Sequence, residues 1–163
     1  MPNPALDDID RRIISELQAD ARLTNVELAD RVGLSASPCL RRVRRLADEG
    51  VIAGYRTVLH RNRIGLGLTV FLAVKIDRHA NDRALDFEHD VMLMPEVVGC
   101  HLVAGEADYL LEIVVPDMES YQQFLVGKLL NLPIVRDVRS NIAIQSLKAD
   151  APLPLGHFGS GRE

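Results

Sequence analysis

Two cysteines in 163 residues, Cys39 and Cys100, are too few and too scattered for a disulfide framework or a zinc site, and they read as small hydrophobes. Long hydrophobic runs are missing as well. No stretch approaches the roughly 18 uninterrupted apolar residues that span a bilayer. The opening Met1-Pro2-Asn3-Pro4-Ala5-Leu6-Asp7-Asp8 lacks the basic and apolar regions of a signal peptide, so a cytoplasmic protein is expected. Catalytic constellations are equally scarce. His60, His79, His89, His101 and His157 have no metal-ligand spacing, no glycine-rich phosphate loop occurs, and no nucleophile stands with a base in a recognisable pattern. The chain is therefore not expected to be an enzyme or to need a metal or cofactor. His101, in an apolar strand, is the one histidine to watch, and its plain reading is a hydrogen-bonded strand residue.

Nor is there an excess of basic charge: 19 Lys+Arg face 23 Asp+Glu, a net −4, which would disfavour a polyanionic partner if it were evenly spread. It is uneven. Residues 1–63 carry 11 basic and 9 acidic side chains, and residues 64–163 carry 8 and 14. Such asymmetry hints at a nucleic-acid-binding part joined to something else.

The basic charge concentrates in Ser35-Ala36-Ser37-Pro38-Cys39-Leu40-Arg41-Arg42-Val43-Arg44-Arg45-Leu46. Leu40, Val43, Leu46 and Ala47 predict one inward helical stripe, with Arg41, Arg42, Arg44 and Arg45 on the remaining circumference. Ser35 and Ser37 can accept backbone N–H bonds at the helix start, where their hydroxyls also meet an approaching phosphate or base edge, and Pro38, which suits the first turn, joins them as a candidate nucleic-acid contact. Upstream, Ile9, Ile13, Ile14 and Leu17 share a face behind an Asp7 cap. Thr24-Asn25-Val26-Glu27 has capping-box form before Leu28, Ala29 and Val32, and Gly33 ends that helix. Helix, tight turn, basic helix is the helix-turn-helix arrangement, whose second helix enters the major groove, with Arg41, Arg42 and Arg45 as its anchors. Val51 to Leu59 reads as an extended strand, a wing or a connector.

The 47% hydrophobic content is ample for a core. The second half parses as strand (Leu68 to Ile76), helix (from Asn81 or Asp82 to Pro95), strands Val97 to Ala104 and Tyr109 to Val115, helix (Pro116-Asp117 to Leu132) and strand (Val138 to Leu147). Gly105-Glu106-Ala107-Asp108 is a hairpin-length loop. That order is the ferredoxin-like βαββαβ arrangement, with both helices on one sheet face, so the chain is α+β. The runs Val70-Phe71-Leu72-Ala73-Val74 and Tyr109-Leu110-Leu111 are apolar on both sides, and the simplest cover for the second face is another copy of the chain. The expected division is a winged helix-turn-helix domain over residues 6–67, a ferredoxin-like domain over 68–149 and a disordered tail over 150–163.

Several independent segments resemble the Lrp/AsnC (leucine-responsive, feast/famine) family of transcriptional regulators, and together they cover nearly the whole chain. They are Leu6-Asp7-Asp8-Ile9-Asp10-Arg11, residues 22–29, Val32-Gly33-Leu34-Ser35, Pro38-Cys39-Leu40, residues 42–46, Gly50-Val51-Ile52-Ala53-Gly54-Tyr55 and residues 101–111. The resemblance implies a DNA-reading motif from about Asn25 to Arg44, which brings Asn25 into the DNA-contacting set. It also implies an amino-acid-sensing second domain that pairs into dimers and often octamers. By the same resemblance the effector lies between these sensing domains, near the strand-to-strand loop, at Gly105, Glu106, Asp108 and Tyr109, with Arg136, Arg139 and Ser140 as lining. A carboxylate such as Asp108 or Glu106 would take the ammonium, and loop N–H groups or an arginine the carboxylate. Plainer roles stay open: Gly105 for its turn, Asp108 as a loop cap, and Arg136 and Arg139 as solvated charge. Relatives commonly have an acid where this chain has Arg41, which adds a phosphate or guanine donor. Besides a ligand-responsive transcription factor, a constitutive architectural DNA binder and a metabolite-sensing subunit without DNA binding remain open.

Overall fold

The computed structural model describes residues 6–77 and 81–156, apart from the side chains of residues 81–83. His79, His157 and the end of the expected tail lie outside the described residues. Two compact units emerge, one taking in the chain up to Val58 together with the stretch from Lys148, the other Leu59–Leu147.

In the first unit, α1 (Asp8–Ala19), α2 (Asn25–Val32) and α3 (Ala36–Asp48) enclose a small core of Ile13, Leu28, Ala29, Val32, Cys39 and Leu46. Local chemistry sets each boundary. Asp7 and Asp10 form a capping box on α1, Thr24 and Glu27 form one on α2, and Gly33 ends α2 at φ 74°, a left-handed conformation that suits glycine. The inward face of α3 runs through Cys39, Val43 and Leu46, whereas Leu40 and Ala47 are exposed, so the stripe is rotated by about one residue from its expected position. Val51 and Ile52 donate their N–H groups to Leu46 O and pack on the core. From there to His60 no strand forms among the described residues, contrary to expectation, because a strand needs a ladder partner and this unit supplies none. The tail was expected to be disordered, yet its described part is engaged. Leu153 N–H donates to Gln18 Oε1 at 2.6 Å, Gln18 Nε2 donates to Leu153 O at 3.2 Å, and Arg56 pairs with Asp150 at 2.8 Å.

The second unit is a four-stranded antiparallel sheet of β1 (Leu68–Ile76), β2 (Val97–Leu102), β3 (Tyr109–Val115) and β4 (Val135–Ile142) in the order β2-β3-β1-β4, with α4 (Asn81–Met92) and α5 (Met118–Gly127). This is the ferredoxin-like arrangement. Val70, Leu72 and Val74 of β1 and Tyr109, Leu111, Ile113 and Val115 of β3 alternate onto one face, where Phe87 and Val91 of α4 and Tyr121 and Phe124 of α5 cover them. Thr69, Phe71, Ala73 and Lys75 point to the opposite face, across which Arg61 reaches Thr69 Oγ1 at 3.3 Å and Glu112 at 2.7 Å. Those bonds explain why residues 59–67 belong with this unit rather than with the first. β4 starts and stops earlier than expected. Val70 faces Ile142 and the Ala143 N–H still reaches Thr69 O at 3.0 Å, but the paired register runs no further, and Ile144 and Leu147 stand exposed.

Replacing Phe124 by Ala should cost about 3–5 kcal/mol by urea denaturation, whereas Met118→Ala, at an exposed position of the same helix, should stay within about 0.5 kcal/mol of wild type.

Candidate DNA-reading helix and effector hollow

The arginines of α3 divide into two pairs. Asp10, buried completely in α1, accepts Arg42 Nη1 at 2.8 Å on one oxygen and Arg45 Nη2 at 2.5 Å on the other. Arg42 also donates to Asp7 at 2.7 Å. These bonds raise the affinity of Arg42 and Arg45 for their protons, while the Asp10 backbone N–H and then Arg42 hold the Asp7 carboxyl below its ordinary value. Arg41 and Arg44 are exposed and have no ion pair among the described residues. Asp10 was missed as a partner, although its place on the Ile13, Ile14 and Leu17 line, at i and i+3, i+4, i+7, marked a carboxylate pointing toward the core.

Asn25 Nδ2 donates to Ala36 O at 2.7 Å, tying the start of α2 to the first turn of α3, and its Oδ1 is buried without a hydrogen bond. Ser35 occupies the N-cap position of α3, but its hydroxyl makes no capping bond, contrary to expectation; Ser35 O accepts Cys39 N–H at 3.2 Å instead. Ser37 is exposed, and Pro38 sits third in the helix, where a missing N–H costs nothing.

In the second unit the seven residues expected around an effector separate across the sheet. Glu106, on the β2–β3 loop, pairs with Arg139 of β4 at 2.8 Å and with Lys75 of β1 at 3.7 Å, and Arg139 before Lys75 holds its carboxyl below the ordinary range. Around them lies a hollow of about 40 Å³ lined by Ala73, Lys75, Glu106, Ala107, Asp137 and Arg139. Gly105 sits beside it at φ 155°, the loop conformation that spares it a side chain. Asp108 accepts the Ile76 N–H at 3.0 Å and so braces that loop. Tyr109 faces the other way, into the helix side, where its ring lies 4.8 Å from Phe87 and its hydroxyl donates to Glu88 at 2.8 Å. Ser140 bonds the Tyr121 hydroxyl at 2.5 Å on that same side, and Arg136 pairs with Asp77 at 3.1 Å. Alternation explains the separation: Arg139 and Ser140 are neighbours in a strand, and neighbours point to opposite faces. Lys75 was missed, although it continues the outward series Phe71, Ala73, Lys75.

Residues 6–53 match the family model for a winged helix-turn-helix DNA-binding domain, and residues 69–153 match that of the Lrp/AsnC ligand binding domain. The leucine-responsive regulatory protein of Escherichia coli K12 is 45% identical over 147 residues, 90% of each chain. A Neisseria meningitidis transcriptional regulator solved in complex with L-Met superposes with a TM-score of 0.89 at 41% identity, covering 93% of this chain and 98% of that one. An AsnC family regulator from Agrobacterium tumefaciens gives 0.88 at 34% identity, covering 93% and 99%. A helix-turn-helix with its arginine-bearing helix exposed, joined to a ligand-binding βαββαβ domain, defines a DNA-binding transcriptional regulator that responds to a small effector. The chain belongs to the Lrp/AsnC family of such regulators. Among the described residues no helix is long and apolar enough to cross a membrane, and no group of His, Cys, Asp and Glu is arranged to hold a metal ion.

Removal of Asp10 leaves two guanidiniums that can still turn to water, so Asp10→Ala should lower stability by about 2 kcal/mol in urea. Arg45→Ala should then cost less on that background than on wild type. Tyr109 generates a pH prediction. Burial first, then the bond to Glu88, pushes its phenol up to about 12. The stability it contributes is complete below the unfolded value of about 10 and lost as pH rises through the folded one. The stability difference between wild type and Tyr109→Phe should therefore shift in favour of the variant across that interval, and parallel curves would reject the assignment.

Proposed function

We propose that the effector is a free amino acid, held at the charged hollow of Glu106, Arg139 and Lys75, and that its binding alters how the chain engages DNA. The observation that carries this reading is the juxtaposition of both required charges on one sheet face, a carboxylate for the ammonium and two cations for the carboxylate. The L-Met bound by the Neisseria meningitidis relative supports the ligand class. Loop residues Gly105 and Asp108 shape the site, whereas Tyr109, Ser140 and Arg136 support it from elsewhere in the fold. A hollow of about 40 Å³ is small beside ordinary ligand pockets of about 300 Å³ or more, so the site needs a second wall. A second copy of the chain supplies one. Phe71, 39% exposed on the uncovered sheet face, and the unpaired segment before His60 favour self-association, as a dimer or a larger assembly.

Arg41 and Arg44, with Ser35 and Ser37 at the start of α3, contact DNA, while Arg42 and Arg45 hold the helix in place and Asn25 fixes its first turn. Regulation of this kind acts on cytoplasmic DNA, and it calls for no catalysis and no cofactor.

Thermal shift against a panel of the common amino acids, followed by DNA retardation with the best ligand, tests the reading. At 100-fold over its Kd a ligand should add about 2.7 kcal/mol of stability, and both Glu106→Gln and Arg139→Ala should abolish the shift. If no amino acid raises the melting temperature, or DNA binding ignores all of them, the effector assignment falls and a constitutive DNA binder remains.

A further inference from the structure

The free surface of α3 has an apolar residue among its donors. Ser37, Leu40, Arg41 and Arg44 stand at i, i+3, i+4 and i+7 and form one patch on the side away from Cys39 and Leu46. Arg42 and Arg45 do not compete for this role, because Asp7 and Asp10 already occupy their guanidiniums. Leu40 is 36% exposed although the core of this unit is adjacent, and its neighbours one helical turn away are a hydroxyl and a free guanidinium. Substituent chemistry identifies the partner. In the major groove thymine alone offers a methyl group, while guanine offers paired acceptors that match an arginine fork.

We propose that Leu40 reads the 5-methyl group of a thymine, with Arg41 and Arg44 anchoring to the guanine edges or phosphates beside it, so that Leu40 sets base preference at that position. The proposal rests on the reading of α3 as the helix that enters the groove. Residues in the first turns of such a helix are those that reach base edges, and Leu40 lies five positions into α3. A methyl contact supplies discrimination without adding charge, which complements two free arginines that alone would bind any phosphate backbone.

The test starts from wild-type protein and a pool of random duplexes. On the best selected site each thymine is replaced in turn by deoxyuridine, which removes only the methyl group. One replacement should weaken wild-type binding about three- to five-fold, the worth of one methyl kept from water, and Leu40→Ala should bind the thymine and uracil duplexes alike. Leu40→Gln, whose amide matches adenine, should move the selected base at that position away from thymine. Leu40 is not part of the buried core cluster, so both variants should keep the wild-type fold by circular dichroism and lose at most a small part of its stability in urea. If wild type tolerates uracil everywhere, or Leu40→Ala shows the same loss, the proposal is overturned while DNA reading by α3 stands. If wild type enriches no site at all, the DNA-reading assignment of α3 falls and takes the proposal with it.

Discussion

The carboxylate of Asp10 is the constraint on which the first unit turns. A charge with no exposure to water is costly unless every lone pair finds a donor, and Asp10 finds two guanidiniums, both from α3. The bonds are directional, so they fix the rotation of α3 against α1 in a way that a handful of aliphatic contacts would not. They also spend half of the helix's positive charge internally. The field that α3 presents outward is that of Arg41 and Arg44, on a helix whose opposite side is committed to Cys39, Val43 and Leu46. Asn25 then holds the start of α2 at the first turn of α3, and the Thr24–Glu27 capping box closes the first turn of α2 itself.

Alternation does the corresponding work in the second unit. One face of the sheet is filled by Leu72, Leu111, Phe87 and Phe124, and that packing turns Tyr109 and Ser140 inward. The other face receives what is left: Lys75, Arg139 and, from the β2–β3 loop, Glu106. Three charges of mixed sign gathered on a sheet face that is otherwise partly apolar satisfy one another in the free chain. A zwitterion carries the same pair of charges and can exchange for them without leaving any group unpaired.

Features set by short-range chemistry were legible in the sequence. Asp7, Thr24 and Gly33 bound their helices within a few residues of where they stand, and the order of elements followed from periodicity. What depended on distant partners was not. The span of β4 is decided by its register on β1, more than sixty residues earlier, and the hydrophobicity of Ile144 and Leu147 says nothing of that. The phase of α3 was ambiguous because Cys39 and Leu40 each extend an apolar stripe, and only packing against α1 and α2 chooses between them. Around the hollow, the meeting of the β2–β3 loop with Arg139, and the turning of Tyr109 and Ser140 to the helix side, both depend on the phase of strands that the sequence leaves open.

The two hydrogen bonds between Gln18 and Leu153 join residues 135 apart in sequence. They make the first unit discontinuous: its last piece is synthesised only after the whole ligand-binding sheet, which is an insertion within it. A fragment ending at Val58 would therefore be missing a strip of its own surface, and the nascent N-terminal helices must leave that side of α1 uncovered until residues 148–156 have followed the sheet.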